Sequence, residues 1–389
     1  MSNYLGLYIH IPFCLSKCSY CHFASGVFPG SLIKPYFGAL RREMEALPGL
    51  LQRLNGKGSG TADWVIDSIF VGGGTPSLVD GQEIGQTLKS VRNSLSLAPV
   101  PEITLEVNPG TVTDDKLDCY RAAGVNRISL GVQTFQDHLL KKVGRSHSVA
   151  DSISTVELCR RNGIDNLNVD LIAGLPGQTE EDWQENLGRV AALSPEHLSL
   201  YLLEIHEDAH LGRREGPAGA SLPDEELVAD WYQESVEWLG SAGWEQYEIS
   251  NFCRPGRQSR HNLKYWTDQP FIGFGCGAHS YWAGERWGNE RDPARYVELL
   301  ESGEPAATFR SEITPEQHLE EVVFLGLRLN AGLDLRRCRR KFGFDLRDRF
   351  GRELSQLAQG GLIEIEGDLL KLTPKGRLFS NEVFVQFMQ

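Results

Sequence analysis

Three cysteines within eight residues, Cys14-Leu-Ser-Lys-Cys18-Ser-Tyr-Cys21, constrain this chain more than any other stretch. They follow an apolar, strand-like run from Leu5 to Ile11. A loop that short can aim three thiolates at one point, as a polynuclear iron–sulfur cluster requires. With three protein ligands, a four-iron cubane keeps one iron open to bind something else. Two blander readings compete. A zinc site needs a fourth ligand; His22 is the only local candidate, and adjacent residues seldom ligate one tetrahedral ion. A disulfide staple leaves one cysteine over and suits a secreted chain.

Composition bears on that choice. Eight cysteines, only three of them clustered, point to a reducing, cytoplasmic compartment. The N-terminus carries no basic leader or cleavage pattern, so secretion is not expected. No run approaches about 18 apolar residues, so an integral membrane protein is not expected either. Cys119, Cys159 and Cys338 fall in helical patterns and read as inert buried residues. The formal charge of −13 works against nucleic acid as a partner. The basic run Arg336, Arg337, Arg339, Arg340 and Lys341 reads as a solvated helix face before a docking patch.

The 389 residues suffice for two or three domains. Helical periodicity spans Leu32 to Leu54 and ends in the breaker-rich Asn55–Gly60. Strand patterns at Val65–Val71, Ile103–Val107, Arg127–Val132, Leu167–Ile172 and His197–Leu203 alternate with helices at 80–96, 109–123, 136–143, 149–162 and 179–193. A polar stretch, Glu207 to Pro223, leads to an amphipathic helix over 224–242. The repeating unit predicts an α/β fold, a partial (β/α)6 TIM-type barrel with parallel strands inside and helices outside. Such barrels place chemistry at the carboxyl ends of strands. Cys14, Gly72–Thr75, Glu106, Gln133 and Asp170 all sit there. From about residue 310 the pattern changes to helices over 313–329, 334–341 and 345–358, a hairpin within Gly361–Thr373 and a last helix after Pro374. This predicts a winged-helix-like α+β module with a packing or lid role. The expected domains are 1–242, a segment 243–309 that carries the His261–Trp266 motif and a connecting region, and 310–389.

Gly72-Gly-Gly-Thr-Pro76 lets backbone approach a ligand closely, although many glycine runs are only tight turns. Glu106 and Asp170 stand where a ribose hydroxyl can be held, but single carboxylates are more often caps or surface groups. His261-Asn-Leu-Lys-Tyr-Trp266 sets an imidazole beside two aromatics, as a haem iron and macrocycle need. On spacing alone, a hydrogen-bonded histidine in an aromatic core is the stronger reading. Cys276 and His279 are weaker ligand candidates in a glycine-rich stretch.

Cys14-x3-Cys18-x2-Cys21 together with Gly72-Gly-Gly-Thr-Pro76 resembles the radical S-adenosylmethionine (radical SAM) superfamily. Tyr8-Ile-His-Ile-Pro-Phe-Cys14, Gly131-Val-Gln-Thr-Phe135, Gly144-Arg-Ser-His147 and Asp170–Gln178 look like its oxygen-independent coproporphyrinogen III oxidase group. The dehydrogenases of that group carry one more cysteine where this chain has Phe23. That difference and the intact His261–Trp266 motif are similar to the HemW-type haem chaperones. His22 stands where the family often has an acidic residue.

The resemblance implies a [4Fe–4S] cluster on Cys14, Cys18 and Cys21, with SAM chelating the fourth iron. It implies SAM contacts from Tyr8, Gly74, Thr75, Glu106, Gln133, Arg145 and Asp170, an aromatic against adenine from Tyr20, and looser matches at Leu202 and His279. It implies haem on His261, which reverses the reading from spacing. The expected activity is haem binding and transfer to apoproteins, respiratory membrane enzymes among them, with an electron donor as a further partner. The alternative is a radical SAM oxidoreductase acting on a porphyrinogen such as coproporphyrinogen III.

Overall fold

The computed structural model describes residues 3–55, 64–207, 209, 211–212, 221–282 and 284–388. The chain forms two compact units, Met1–Trp231 with Pro270–Glu312, and Tyr232–Gln269 with Ile313–Gln389.

Six parallel strands build the first unit: β1 (Tyr4–Ile11), β2 (Val65–Gly73), β3 (Ser96–Val107), β4 (Arg127–Gln133), β5 (Leu167–Ala173) and β6 (His197–Leu202), paired in sequence order. Alternation along them separates two faces, because successive side chains point to opposite sides of a sheet. Leu5, Leu7, Ile9 and Ile11 on β1, Ile128, Leu130 and Val132 on β4, and Leu167, Val169 and Leu171 on β5 are all buried apolar. The intervening positions carry Tyr8, Ser68, Thr104, Glu106, Ser129, Asp170 and Ser199. Apolar side chains suit the helix-covered face, and polar ones collect on the other. That polar face is where the candidate site lies.

Between strands run α1 (Ile33–Glu45), α2 (Leu47–Asn55), α3 (Gly81–Ser94), α4 (Asp114–Ala122), α5 (Asp137–Lys142), α6 (Val149–Arg161) and α7 (Glu180–Leu193). Capping boxes at Ser148/Asp151 and Thr179/Asp182 start α6 and α7 by satisfying orphan amides. The periodicity of 32–54 gives two helices, not one. They part at Ala46, and Pro48, which has no N–H to donate, falls in the first turn of α2. The breaker residues 56–60 lie outside the described residues. β3 begins at Ser96, earlier than its periodicity suggests, and its register with β2 breaks between Ile66 and Ser68, opposite the stretch holding Pro99 and Pro101.

Residues 271–312, for which the sequence analysis gives no strands, extend this sheet. β9 (Phe271–Phe274) joins β1 in parallel, and β10 (His279–Trp282), β11 (Glu285–Asn289) and β12 (Ala307–Glu312) follow as an antiparallel series.

In the second unit, β7 (Glu245–Glu248) and β8 (Asn251–Cys253) form an antiparallel pair, followed by the short helix Arg260–Trp266. Helices Pro315–Arg328, Leu335–Phe342, Leu346–Arg349 and Gly351–Gln359 and a three-stranded sheet of order β13 (Leu333–Asp334), β15 (Leu369–Leu372) and β14 (Ile363–Glu366) enclose a core that includes Leu319, Val323, Leu327, Leu335, Leu354 and Leu370. Arg336, Arg337, Arg339 and Arg340 are exposed, and Arg336 pairs with Asp368. Among the described residues no helix is long and apolar enough to cross a membrane. Cys159 and Cys338 are buried, with thiols pushed up to about 12 and about 11 by burial, whereas Cys119 is half-buried.

Candidate cofactor site at the carboxyl ends of the strands

The cysteine loop leaves β1 and is pinned by backbone. Cys14 N–H donates to Gly26 O at 2.9 Å, Gly26 N–H to Pro12 O at 3.0 Å, Cys21 N–H to Cys18 O at 3.1 Å, and Ser19 N–H to Val143 O at 3.0 Å. All three cysteines are free and half-buried. Among the described residues, no three His, Cys, Asp or Glu side chains are gathered as ligands of a single metal ion. His22 is exposed, and its ring lies 3.8 Å from that of His206.

Beneath the loop, His10 acts as a strut. Its Nε2 lies 2.9 Å from Ala24 O, which can only accept, so the proton sits on Nε2. Nδ1 therefore accepts from the Tyr8 hydroxyl at 3.1 Å. Burial lowers the His10 pKa to about 4, so the ring is neutral.

The glycine run lets protein approach protein. A Cβ on Gly72 would lie 2.9 Å from the Glu106 carboxylate, and one on Gly74 would lie 2.8 Å from the Pro12 carbonyl carbon. Gly73 has φ +117° and donates its N–H to Glu106 at 2.9 Å. The cysteine loop and Glu106 can close in only because these side chains are missing.

Next to the loop, the Thr75 hydroxyl lies 3.8 Å from Cys14 Sγ and accepts from Asn108 Nδ2 at 3.1 Å. Arg145 donates from Nη2 to Asn108 Oδ1 at 2.9 Å and to Gly131 O at 2.5 Å, and from Nη1 to Cys18 Sγ at 3.6 Å. A Cβ on Gly131 would lie 3.0 Å from both Arg145 Nη2 and Gln133 Nε2. Gln133 itself has φ +69°, a strained backbone for a residue with a Cβ. Cys18, Thr75, Asn108 and Arg145 line a small open pocket. Arg145 Nε is shut off from solvent without a hydrogen-bond partner. A guanidinium held with Nη1 3.6 Å from a free cysteine sulfur suits an anionic or sulfur-rich guest.

Glu106 and Asp170 occupy the polar faces of β3 and β5. Burial pushes Glu106 up to about 7, opposed by the Gly73 amide and reinforced by the Asp170 charge. Burial also raises Asp170, opposed by hydrogen bonds from Asn168, Ser199 and Ser129. Asn168 Nδ2 donates to Asp170 at 2.7 Å and to Ser129 Oγ at 2.7 Å. Tyr20 packs against Leu139, Val143, Ile172 and Leu175, and burial raises its phenol pKa.

Cys14, Cys18, Thr75, Gln133 and Arg145, expected from sequence, are thus drawn together, and Glu106 and Asp170 share one polar face. Asn108 joins Thr75 to Arg145 but was not singled out by residue type. Its position before Pro109, at a strand's carboxyl end, is the signal that could have found it. Leu202 and His279 are exposed, and Cys276 is buried with its thiol pushed up to about 12.

In the second unit, His261 is buried and its Nε2 lies 2.9 Å from the Tyr265 hydroxyl, one helical turn on. The rings meet edge to face at 5.3 Å. Ser259 caps this helix by accepting from Asn262 N–H, and the Arg328 guanidinium lies 4.4 Å over the Trp266 ring.

A parallel six-stranded sheet, a partial and not a closed barrel, that carries a three-cysteine loop and a glycine run at its strand ends defines a radical SAM protein. Residues 8–190 match the radical SAM superfamily, and residues 313–379 match the HemN C-terminal domain. The solved structure of coproporphyrinogen III oxidase (HemN) from Escherichia coli, a radical SAM enzyme, superposes with a TM-score of 0.84 at 26% identity, over 99% of this chain and 90% of that one. The heme chaperone HemW of Bacillus subtilis is 36% identical over 383 residues, 98% of each chain. That of Mycobacterium tuberculosis H37Rv is 34% identical over 97% of this chain and 93% of its own. That of Escherichia coli K12 is 39% identical over 71% of this chain and 69% of its own. The chain belongs to the HemW heme chaperone family.

Proposed function

We propose that this protein binds haem through His261 and passes it to acceptor proteins, respiratory membrane enzymes among them. The observation that carries the reading is the likeness to a heme chaperone over 98% of both chains. His261 would hold the haem iron through Nε2 in place of the Tyr265 hydrogen bond, with the Tyr265 and Trp266 rings as neighbouring apolar groups.

In the same reading, Cys14, Cys18 and Cys21 hold a [4Fe–4S] cluster. Tyr8, Tyr20, Gly74, Thr75, Glu106, Gln133, Arg145 and Asp170 hold SAM. When bound, the pair supplies one-electron cleavage of the sulfonium C–S bond. The chain's own residues position and neutralise: Arg145 offers its guanidinium charge at the pocket, and Thr75 and Arg145 direct donors at two cysteine sulfurs. Glu106, with a pKa of about 7, can carry a proton near neutral pH.

The likeness to coproporphyrinogen III oxidase favours a second reading, oxidation of a porphyrinogen. Phe23 speaks against it: 58% exposed, it presents a phenyl ring where those dehydrogenases carry a thiol. Haem titration of the purified protein separates the two. Uptake of about one haem per chain without turnover of coproporphyrinogen III supports the chaperone, whereas turnover without stable haem uptake overturns it.

A further inference from the structure

We propose that Arg145 sets the reduction potential of the cluster by donating an N–H···S hydrogen bond to the Cys18 sulfur. This rests on the cluster assignment above and goes beyond it, since the assignment gives Arg145 only a SAM contact.

The guanidinium is held as a fork. Nη2 is tied to Asn108 Oδ1 at 2.9 Å and Gly131 O at 2.5 Å, which leaves Nη1 directed at Cys18 Sγ, 3.6 Å away. Gly131 makes the room, because a Cβ there would lie 3.0 Å from Nη2. Asn108 also donates to Thr75, whose hydroxyl reaches Cys14 Sγ at 3.8 Å. One chain of donors therefore addresses two of the three cysteines, and the permanent charge stands at the end nearest Cys18.

A cluster that gains an electron gains negative charge. A fixed cation and N–H donors on its thiolates stabilise that state more than the oxidised one, and hydrogen bonds to sulfur and net charge are established determinants of cluster potential. The low polarity of a partly buried site strengthens the effect relative to water. Lysine could keep the charge but not the planar fork that binds Asn108, Gly131 and Cys18 together.

The test reconstitutes the full-length wild type, Arg145→Gln, Arg145→Lys and Asn108→Ala anaerobically with iron and sulfide, without SAM. Iron and sulfide per chain are counted, and the one-electron reduction is followed by electron paramagnetic resonance in a potentiometric titration. The wild type should load one [4Fe–4S] cluster. Arg145→Gln should lower the reduced-to-oxidised ratio at fixed potential about tenfold, a fall of about 59 mV for a one-electron couple. Arg145→Lys and Asn108→Ala should show smaller falls, the first keeping charge without the fork and the second leaving the fork untethered. A loaded Arg145→Gln protein with the wild-type midpoint overturns the proposal. If that variant does not load, wild-type midpoints in both of the others overturn it. Failure of the wild type itself to load sinks the underlying cluster assignment, and the iron and sulfide counts report that separately.

Discussion

The hydroxyl of Tyr265 occupies Nε2 of His261 at 2.9 Å, so the nitrogen proposed for haem is already engaged by its own helix. A hydrogen bond of this kind contributes about 1 kcal/mol net, or roughly fivefold in a binding constant. Tyr265→Phe should therefore tighten haem binding several-fold, while His261→Ala should weaken it at least tenfold. A haem titration followed by Soret absorbance distinguishes the two. Weaker binding in Tyr265→Phe would show that the hydroxyl supports the haem complex and does not compete with it.

Replacing Cys14, Cys18 or Cys21 singly with alanine should abolish cluster loading while leaving the far-ultraviolet circular dichroism unchanged. Each thiol is half-buried, and the loop is held mainly by backbone hydrogen bonds. Replacing Cys159, buried on α6, should leave iron content at the wild-type level but cost about 1–3 kcal/mol if the smaller side chain opens a cavity. Iron analysis and denaturant unfolding read the two effects separately.

Gly74→Ala places a methyl group 2.8 Å from the Pro12 carbonyl carbon and 2.9 Å from Phe13 O, both backbone atoms that cannot rotate away. The cysteine loop has to shift. The expected cost is about 1–3 kcal/mol of stability, with iron content after reconstitution well below the wild type. A variant that loads iron normally would show that the loop adapts without loss of its ligand geometry.

His10 gives the protein a pH-dependent strut. Its pKa falls from 6.5 to about 4 on burial, so between those values the unfolded chain binds a proton that the folded chain does not. Stability from this group is present above about 6.5 and is lost as pH falls toward 4, about 3 kcal/mol in all. His147, lowered to about 4, acts in the same sense. Glu43 and Glu106, raised to about 7, act in the opposite sense, their ionisation in the unfolded chain lowering stability as pH rises from 4.5 to 7. His10→Phe removes one contribution, so its stability deficit against the wild type should shrink by up to about 3 kcal/mol between pH 6.5 and 4. Guanidinium unfolding at both pH values measures the gap; a constant gap would contradict the assignment.

Much of the barrel was legible because its signals are local. Period-two alternation in Ile128–Val132 and Leu167–Leu171 gave the strands, and the intervening helices followed from periodicity and breakers. The strand ends carried Cys14, Thr75, Glu106, Gln133 and Asp170, so the candidate site could be sketched from order alone. The strands over 271–312 were not legible: each is short, and β9 finds its partner in β1, some 260 residues earlier in the chain. The break at Ala46 was hidden because a proline in a first turn does not interrupt apolar periodicity.

The sequence by itself determined the cysteine spacing, the barrel-type alternation and the family motifs, since each rests on residues close together in the chain. Only the tertiary structure decided what those residues touch. It set Arg145 against Cys18 through a gap left by Gly131, pressed Glu106 into the space left by Gly72, and locked His10 between Tyr8 and Ala24. It also occupied His261 Nε2 with Tyr265. The physical reason is range: periodicity and spacing fix which face of an element a side chain takes, whereas hydrogen-bond partners and pKa depend on the packing of segments far apart in the chain, 127 residues apart in the case of Arg145 and Cys18.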